Sequence, residues 1–477
     1  SALNGALGLH ASIALKVINQ KSTAEDLFVA VLNFKNITLD SLVKQNKAII
    51  SNPQLKALHE DLGNLKQKYS NLKLRSSLLG ENDFSQSKPD QGNIFDELNK
   101  NIDTLESKIT RIISKPENST AIKKIDVPTL QASLPNKSVL VEFAKFNINK
   151  FTDNSNPKSN YLAFILNEEK FGPSSVINLG DSELIDSTIE EFRNLIQNKE
   201  DESTVKKVGS KLYRLLFKPL LAQINKASHI YISPDSDISF LPFDTLVDDG
   251  GEYLISKYKF SYLNNGKDII RFVSRSSSHN QRVVLVGNPD FDNFAYSSSS
   301  GSIDQNQSIP KTRSAEIDEL SFASLPGTKK EINAVGQIMK KYNPVVYANK
   351  SANELNMKSV NSPWILHIAT HGFFLKNKAL NKNESYRRGI SIEPLAQSKL
   401  LPGSNIIIDN PLLNSGLALS GANAFFRGGM GESGEDGLLV AMEVLGMNLT
   451  DTDLVVLSAC NTGVGKVKRG HGVFGLR

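Results

Sequence analysis

From about Pro128 onward the chain alternates short β-rich runs with amphipathic stretches, and that alternation restricts it to an α/β architecture. Residues 139–144, 161–166 and 229–233 read as strands, and residues 185–196 and 205–224 as helices. A second series opens at residues 282–287 and continues with a helix over 329–341 and a strand over 344–347. Two further apolar runs follow, Trp364-Ile-Leu-His-Ile-Ala-Thr-His371-Gly372 and Leu454-Val-Val-Leu-Ser-Ala-Cys460. Strands separated by helices pair mostly in parallel, and such sheets carry reactive groups at the carboxyl ends of their strands.

His371 and Cys460 each end such a run, so one sheet edge can hold an imidazole beside a thiol. That is the minimum equipment of a cysteine peptidase. Cys460 is the single cysteine among 477 residues. An unperturbed thiol, with a pKa near about 8.5, is only a few per cent ionised at neutral pH. A neighbouring histidine accepts its proton and later delivers one to a leaving amine. Gly372, lacking Cβ, lets its backbone amide approach a substrate carbonyl, and the Cys460 amide supplies a second oxyanion donor. A cysteine after an apolar run also fits a buried core thiol, the more ordinary role.

The spacing of His367 and His371 invites a metal reading, but residues four apart on a strand are about 13 Å distant. Ile368 also stands where a zinc-peptidase helix carries its glutamate. No metal site is expected, and His367 reads as a hydrogen-bonded core residue. Gly463-Val-Gly465-Lys466 fails as a phosphate loop, because Cys460 replaces the first glycine and Val467 follows the lysine.

Basic and acidic residues number 55 and 50, and a net charge of +5 gives no strongly basic face. Nucleic acid is therefore not an expected partner, and Lys466-Val-Lys-Arg469 reads as a solvated loop. No apolar stretch approaches the roughly 20 residues that cross a bilayer. The first residues lack the basic-then-apolar pattern of a secretory leader. With no second cysteine for an intrachain disulfide, the expectation is a cytoplasmic protein without membrane contact.

Residues 1–130 read as an all-α region. Apolar positions at Leu55, Leu58, Leu62, Leu65, Tyr69 and Leu72 alternate steps of three and four, as do Phe95, Leu98, Ile102, Leu105, Ile109 and Ile112. Both seams span about 26 Å as helices. A polar connector with Gly80, Pro89 and Gly92 joins them, which suggests an antiparallel coiled-coil hairpin. Packing of each seam on other helices is the alternative. Residues 3–18 and 27–50 read as further helices, the end of a helical array. No internal repeat of about 34 residues is visible. The Ser-rich stretch 297–308 is too polar to pack and reads as a disordered loop.

Several phrases together resemble the CHAT peptidases, caspase-like cysteine proteases attached to tetratricopeptide repeats and related to separase. They are Leu366-His-Ile-Ala-Thr-His371-Gly372, Asn414-Ser-Gly-Leu-Ala-Leu-Ser-Gly-Ala-Asn423, Glu435-Asp-Gly-Leu-Leu439 and Val455-Val-Leu-Ser-Ala-Cys460-Asn-Thr-Gly463. Earlier pieces agree in order: Ser233-Pro-Asp235, Leu241-Pro-Phe-Asp244, Gly287-Asn-Pro-Asp290 and Leu325-Pro-Gly-Thr328. The likeness runs over about residues 130–477.

The resemblance implies caspase-like, parallel-rich sheets flanked by helices. A pseudo-caspase domain would cover about 135–275, and a catalytic domain, incomplete at its C-terminus, about 280–477. It implies a His371–Cys460 dyad with Gly372 on the oxyanion, hydrolysing peptide bonds of a protein substrate through a thioester acyl-enzyme. No metal or cofactor is implied. Upstream repeats in such proteins serve as surfaces for a sensor or activator protein, and the N-terminal helices here would be the remnant that joins them to the protease. Two departures stand out. The family continues past Gly470-His-Gly-Val-Phe-Gly-Leu476 with the rest of a helix and a core strand, whereas this chain stops at Arg477. A fragment is the expectation, with the larger half of a processed two-chain enzyme as the alternative. Gly470-His471-Gly472 also stands where the family has Gly-Glu-Gly. Glu432, Glu435 and Asp436 are candidates for a pocket taking a basic P1 side chain, or simply part of a Gly-rich loop. The rival reading for the whole chain is a catalytically silent scaffold that binds partners through its helical region.

Overall fold

The computed structural model of the protein describes residues 21–35, 52, 55, 57–58, 61–66, 68–69, 91–113, 125–148, 158–167, 175–224, 226–273, 281–293, 321–374, 415–427, 431, 435–459, 466–468 and 472–474. Cys460, Glu432, the expected helix over 3–18, most of that over 27–50, most of the polar connector and the loop at 297–308 lie outside the described residues. The chain divides into two compact units. One comprises Ser1–Ser41, Ala121–Ser276 and Val467–Val473, and the other Leu42–Thr120, Ser277–Lys466 and Phe474–Arg477.

Two long helices are described before the sheets, α1 (Lys21–Phe34) and α2 (Gln91–Ile113). The periodic positions of α2 meet those of the earlier seam. Leu55, Leu62 and Ile109 are buried together, with Leu58, Ile102, Leu105 and Ile112 packed against them. Lys66 and Glu106 close the same contact with an ion pair at 2.7 Å.

The first unit is built on five strands: β1 (Ser138–Ile148), β2 (Lys158–Asn167), β3 (Val176–Asp181), β4 (His229–Ser233) and β5 (Lys259–Tyr262). Their order is β3-β2-β1-β4-β5, antiparallel from β1 to β3 and parallel from β1 to β5. Both faces are covered, which explains the unbroken apolar runs in the sequence. Strand alternation sends Val139, Val141 and Phe143 to one face. There they meet α3 (Ser182–Gln197) and α4 (Glu202–Leu212). Leu140, Ala144 and Phe146 go to the other face, against Leu27, Phe28 and Val31 of α1.

Local chemistry sets the helix limits. The Asp181 side chain accepts from the Glu183 amide at 2.8 Å and starts α3. Its buried Ile185, Ile189 and Phe192 share one face at helical spacing. Residues 205–224 were expected as one helix. Instead α4 ends at Leu212 and passes through a wide five-residue turn, Tyr213–Phe217, and a tight one, Lys218–Leu220, before Leu221–Ile224. Pro219 is the cause: it has no amide hydrogen, and its ring clashes with the carbonyl one turn earlier.

The second unit contains β6 (Val283–Pro289), α5 (Pro326–Ile338), β7 (Val345–Asn349), α6 (Glu354–Lys358), β8 (Ile365–Ala369), β9 (Gly372–Phe374), β10 (Ser415–Ala418), β11 (Leu438–Val440) and β12 (Leu454–Ser458). Four of these strands form a fully parallel sheet in the order β12-β8-β6-β7, and three form an antiparallel sheet, β11-β10-β9. Val284, Val286, Leu366 and Ile368 face Leu417, Leu419 and Leu439 on one side. Val283, Leu285 and Ala369 face Ile332 of α5 on the other. At Gly287 a Cβ would stand 2.7 Å from Ile332 Cγ2, so only glycine lets α5 lie this close to the sheet. Helix was expected near residue 470. The described residues there, Lys466–Lys468 and Gly472–Phe474, are instead two short paired strands. Gly470 and Gly472 oppose a helix at this point.

One buried charge ties α1 into the first unit. Glu142 shares the β1 face of Leu140 and Ala144 and is fully buried. Lys35, just past α1, places Nζ 2.5 Å from Glu142 Oε1, 2.9 Å from Ser233 Oγ and 3.1 Å from the carbonyls of Phe143 and Ser233. The Ser233 hydroxyl and the Gly266 amide also donate to the Glu142 carboxylate. Burial pushes the Glu142 carboxyl up, and Lys35 with these donors opposes it. Lys35→Met therefore strands a buried carboxylate and is expected to cost about 3–5 kcal/mol, while adding Glu142→Leu restores much of the loss. Urea unfolding followed by circular dichroism checks this, and equal stability of Lys35→Met and the parent chain would contradict it.

Candidate active site

β8 and β12 lie side by side in parallel, with Val456 opposite His367 and Ser458 opposite Ala369. The Thr370 amide extends the ladder to the Ser458 carbonyl at 3.2 Å. His371 stands two residues beyond Ala369, at the start of the turn into β9. Ala459 is the last described residue after β12, and Cys460 follows it.

The His371 ring is held on three sides. Its Nε2 lies 2.8 Å from the Ala323 carbonyl, and its ring packs at 5.4 Å from Phe291 and 5.6 Å from Phe322. A carbonyl oxygen only accepts, so Nε2 carries the hydrogen and Nδ1 holds the lone pair of the neutral ring. Ala323 is itself steadied by its neighbour. Phe322 donates its amide to Asn423 Oδ1 at 2.7 Å, and Asn423 Nδ2 donates to the Phe322 carbonyl at 3.0 Å. Asn423 is buried. The Ala323 carbonyl escaped sequence reasoning because a backbone acceptor leaves no mark on residue type. Asn423 was visible as the end of a motif, without its purpose.

Gly372 sits opposite Leu417 in the β9–β10 pair. The adjacent His371 carbonyl accepts from the Ala418 amide at 2.9 Å. Hydrogen bonding alternates along an antiparallel pair, so the Gly372 N–H is turned away from β10. Among the described strands of that sheet β9 is an edge, which leaves this amide directed outward.

His367 does not share a ligand with His371. Its Nε2 lies 2.9 Å from Glu331 Oε1, on α5. The other oxygen of the same carboxylate accepts from Ser458 Oγ at 3.0 Å. Among the described residues no group of three His, Cys, Asp or Glu side chains is placed to hold a metal ion, and no helix is long and apolar enough to cross a membrane.

The CHAT domain model matches residues 206–477, more than half of the chain. The chain belongs to the CHAT domain family. That family is one of caspase-like cysteine peptidases, and the parallel sheet flanked by helices agrees with such a fold. The match begins inside α4, so it takes in the later part of the first unit as well as the second. No curated protein matches the chain.

The acidic residues of the CHAT motif Glu435-Asp-Gly-Leu-Leu439 are not open to solvent in this chain. Asp436 is buried, and its Oδ1 accepts from the Leu438 amide at 2.8 Å. Glu354, also buried, accepts the amides of Asp436 and Gly437 at 2.9 Å each. Gly437 has φ +78°, and a Cβ there would sit 2.3 Å from the Ala422 nitrogen. Lys358, one turn beyond Glu354, places its ammonium 2.9 Å from Glu443, 3.3 Å from Glu354 and 3.6 Å from Glu435. The cation that Glu435 faces is thus the chain's own lysine. Residue types alone could not reveal it, since Glu354 and Lys358 lie far upstream.

Three carboxyls of this cluster, Glu435, Asp436 and Glu443, hold their protons more tightly than usual. Burial, then the Glu354 charge, pushes Glu435 up to about 8. Burial with the same neighbour pushes Glu443 up to about 7, against Lys358. Burial raises Asp436 well above the usual carboxylate range. Burial works against the Lys358 ammonium, but Glu354, Glu443 and Glu435 hold it above the ordinary lysine value. A carboxyl raised in the folded state binds more protons there than in the unfolded chain. Its stabilisation is complete below the unfolded value of 4.5 and is lost as pH rises through about 7 to about 8. Thermal melts of this unit, read from its single tryptophan, Trp364, should fall in midpoint between pH about 5 and about 8. Glu435→Gln should flatten much of that fall. An unchanged slope in the variant would contradict the assignment.

Proposed function

We propose that the protein is a cysteine endopeptidase in which Cys460 is the nucleophile and His371 its acid–base partner. The observation that carries this reading is the β8–β12 register. His371 and Cys460 each follow the facing residues Ala369 and Ser458 by two positions. A β12 strand carried on by two residues would bring the Cys460 thiol towards the strand end from which His371 follows. The Ala323 carbonyl supports the same reading, because it leaves Nδ1 as the base.

In this mechanism the Cys460 thiol gives its proton to His371 Nδ1, and the thiolate attacks the scissile carbonyl carbon. The carbonyl oxygen becomes an oxyanion facing the outward Gly372 N–H and the Cys460 amide. Collapse breaks the C–N bond, and His371 returns the proton to the departing amine. Water then attacks the thioester, with His371 taking its proton, and releases the carboxylate product and the thiol. The substrate is a protein. A sensor or activator protein would engage the helical region formed around α2 and the Leu55 seam.

Alkylation of Cys460, the only thiol, can be followed by intact mass from pH about 5 to about 10. The expected midpoint lies well below about 8.5 and returns towards it in His371→Ala. Cys460→Ala should abolish cleavage of a protein target. A Cys460→Ala chain that cleaves its target normally would favour the silent scaffold and end this reading.

A further inference from the structure

The carboxylate of Glu331 joins the two strands that lead to the proposed dyad. One oxygen meets His367, four residues before His371, and the other meets Ser458, two residues before Cys460. We propose that Glu331 is a positioning residue, a clamp from α5 that fixes the spacing and register of the strand ends carrying His371 and Cys460. This rests on the dyad reading above.

Three observations separate a clamp from ordinary packing. The Glu331 side chain is 34% exposed, so it contributes little burial. Its neighbour Ile332 supplies the apolar contact of α5 with Val283, Leu285 and Ala369. Moreover, β12 is an outer strand among the described residues, and Leu454 and Val455 are exposed at 49% and 42%. A strand so thinly covered has little burial to hold its register. A carboxylate accepting from two adjacent strands at once supplies a directional restraint that burial does not.

The clamp makes a specific demand on substitution. Glutamine keeps both contacts: its carbonyl oxygen accepts from His367, and its amide donates to the Ser458 hydroxyl, which accepts as readily as it donates. Alanine keeps neither. In the intact chain, Glu331→Ala should raise the Cys460 alkylation midpoint by about one pH unit, a roughly tenfold loss of thiolate at neutral pH. Its Trp364 melting midpoint should change little. Glu331→Gln should restore the parent midpoint. A parent-like midpoint in Glu331→Ala overturns the clamp. So does a shift that glutamine fails to rescue, which would assign Glu331 a role through its charge.

The dyad reading is tested separately by His371→Ala. If that variant leaves the midpoint unmoved, the dyad fails, and the clamp is then read from a fluorophore attached to Cys460. Faster rotation of the label in Glu331→Ala, restored by glutamine, supports a clamp that acts without a dyad. Unchanged rotation overturns it.

Discussion

The parallel register between β8 and β12 carries the candidate site, and burial alone secures it poorly. β8 is enclosed on both sides, by β6 and β12, and its residues are half-buried or buried. β12 has a described partner on one side only, and its first two side chains stand in solvent. A one-residue slip would send every side chain of β12 to the opposite face. Polar contacts guard both ends against it. At the start, Trp364 Nε1 donates to Asp453 at 3.0 Å, and the Asp453 amide returns to the Trp364 carbonyl at 2.9 Å. At the end, Glu331 reaches His367 and Ser458 together.

The two units treat buried charge differently, and the difference follows from stoichiometry. In the first, one carboxylate meets one ammonium, a hydroxyl and an amide, so Glu142 has donors enough to be satisfied. In the second, Glu354, Glu435 and Glu443 surround Lys358, and Asp436 is buried beside them. One ammonium cannot balance so many carboxylates in a dry site, so burial raises the values of Glu435, Asp436 and Glu443. The first arrangement locks a helix onto a sheet. The second ties the loop before β11 to α6, and through β11 and β10 it supports the strand that follows His371.

Much of this was legible in the sequence where burial on both faces of a strand writes a continuous apolar run. β4 was read with its observed limits, His229–Ser233, and β6, β7, β8 and β12 within a few residues. β3 and β5 were missed, because they are short and only partly buried. The antiparallel sheet β9-β10-β11 was missed too, its strands being three or four residues long and poor in β-branched side chains. At the site, His371 was legible as a reactive side chain at a strand end. Its orienting partner was not, because that partner is the backbone of Ala323. Glu435 looked like a free acid because its lysine lies in another segment of the chain, and Asp436 because its partner is the backbone amide of Leu438.

The motifs that carry the family resemblance, seen in three dimensions, are mostly not reactive groups. Thr328 of Leu325-Pro-Gly-Thr328 accepts the Asn288 amide at 3.0 Å, joining the start of α5 to the end of β6. Gly287 lets that helix approach. Asp290 accepts the Gly421 amide through its carbonyl at 3.0 Å, and Phe291 accepts that of Asn423 at 2.8 Å. Asn423 then grips Phe322 by both backbone groups, and the next residue holds the His371 ring. Each step is a short polar contact between segments remote in sequence. They run in series from the end of β6 to a single imidazole nitrogen. Loosening any one of them costs ring orientation before it costs the fold, since the apolar layers on either side of the parallel sheet rest on other residues. Orientation is also the property that proton transfer depends on most steeply. A family held to one reaction would therefore show its signature in these connecting residues as strongly as at the histidine itself.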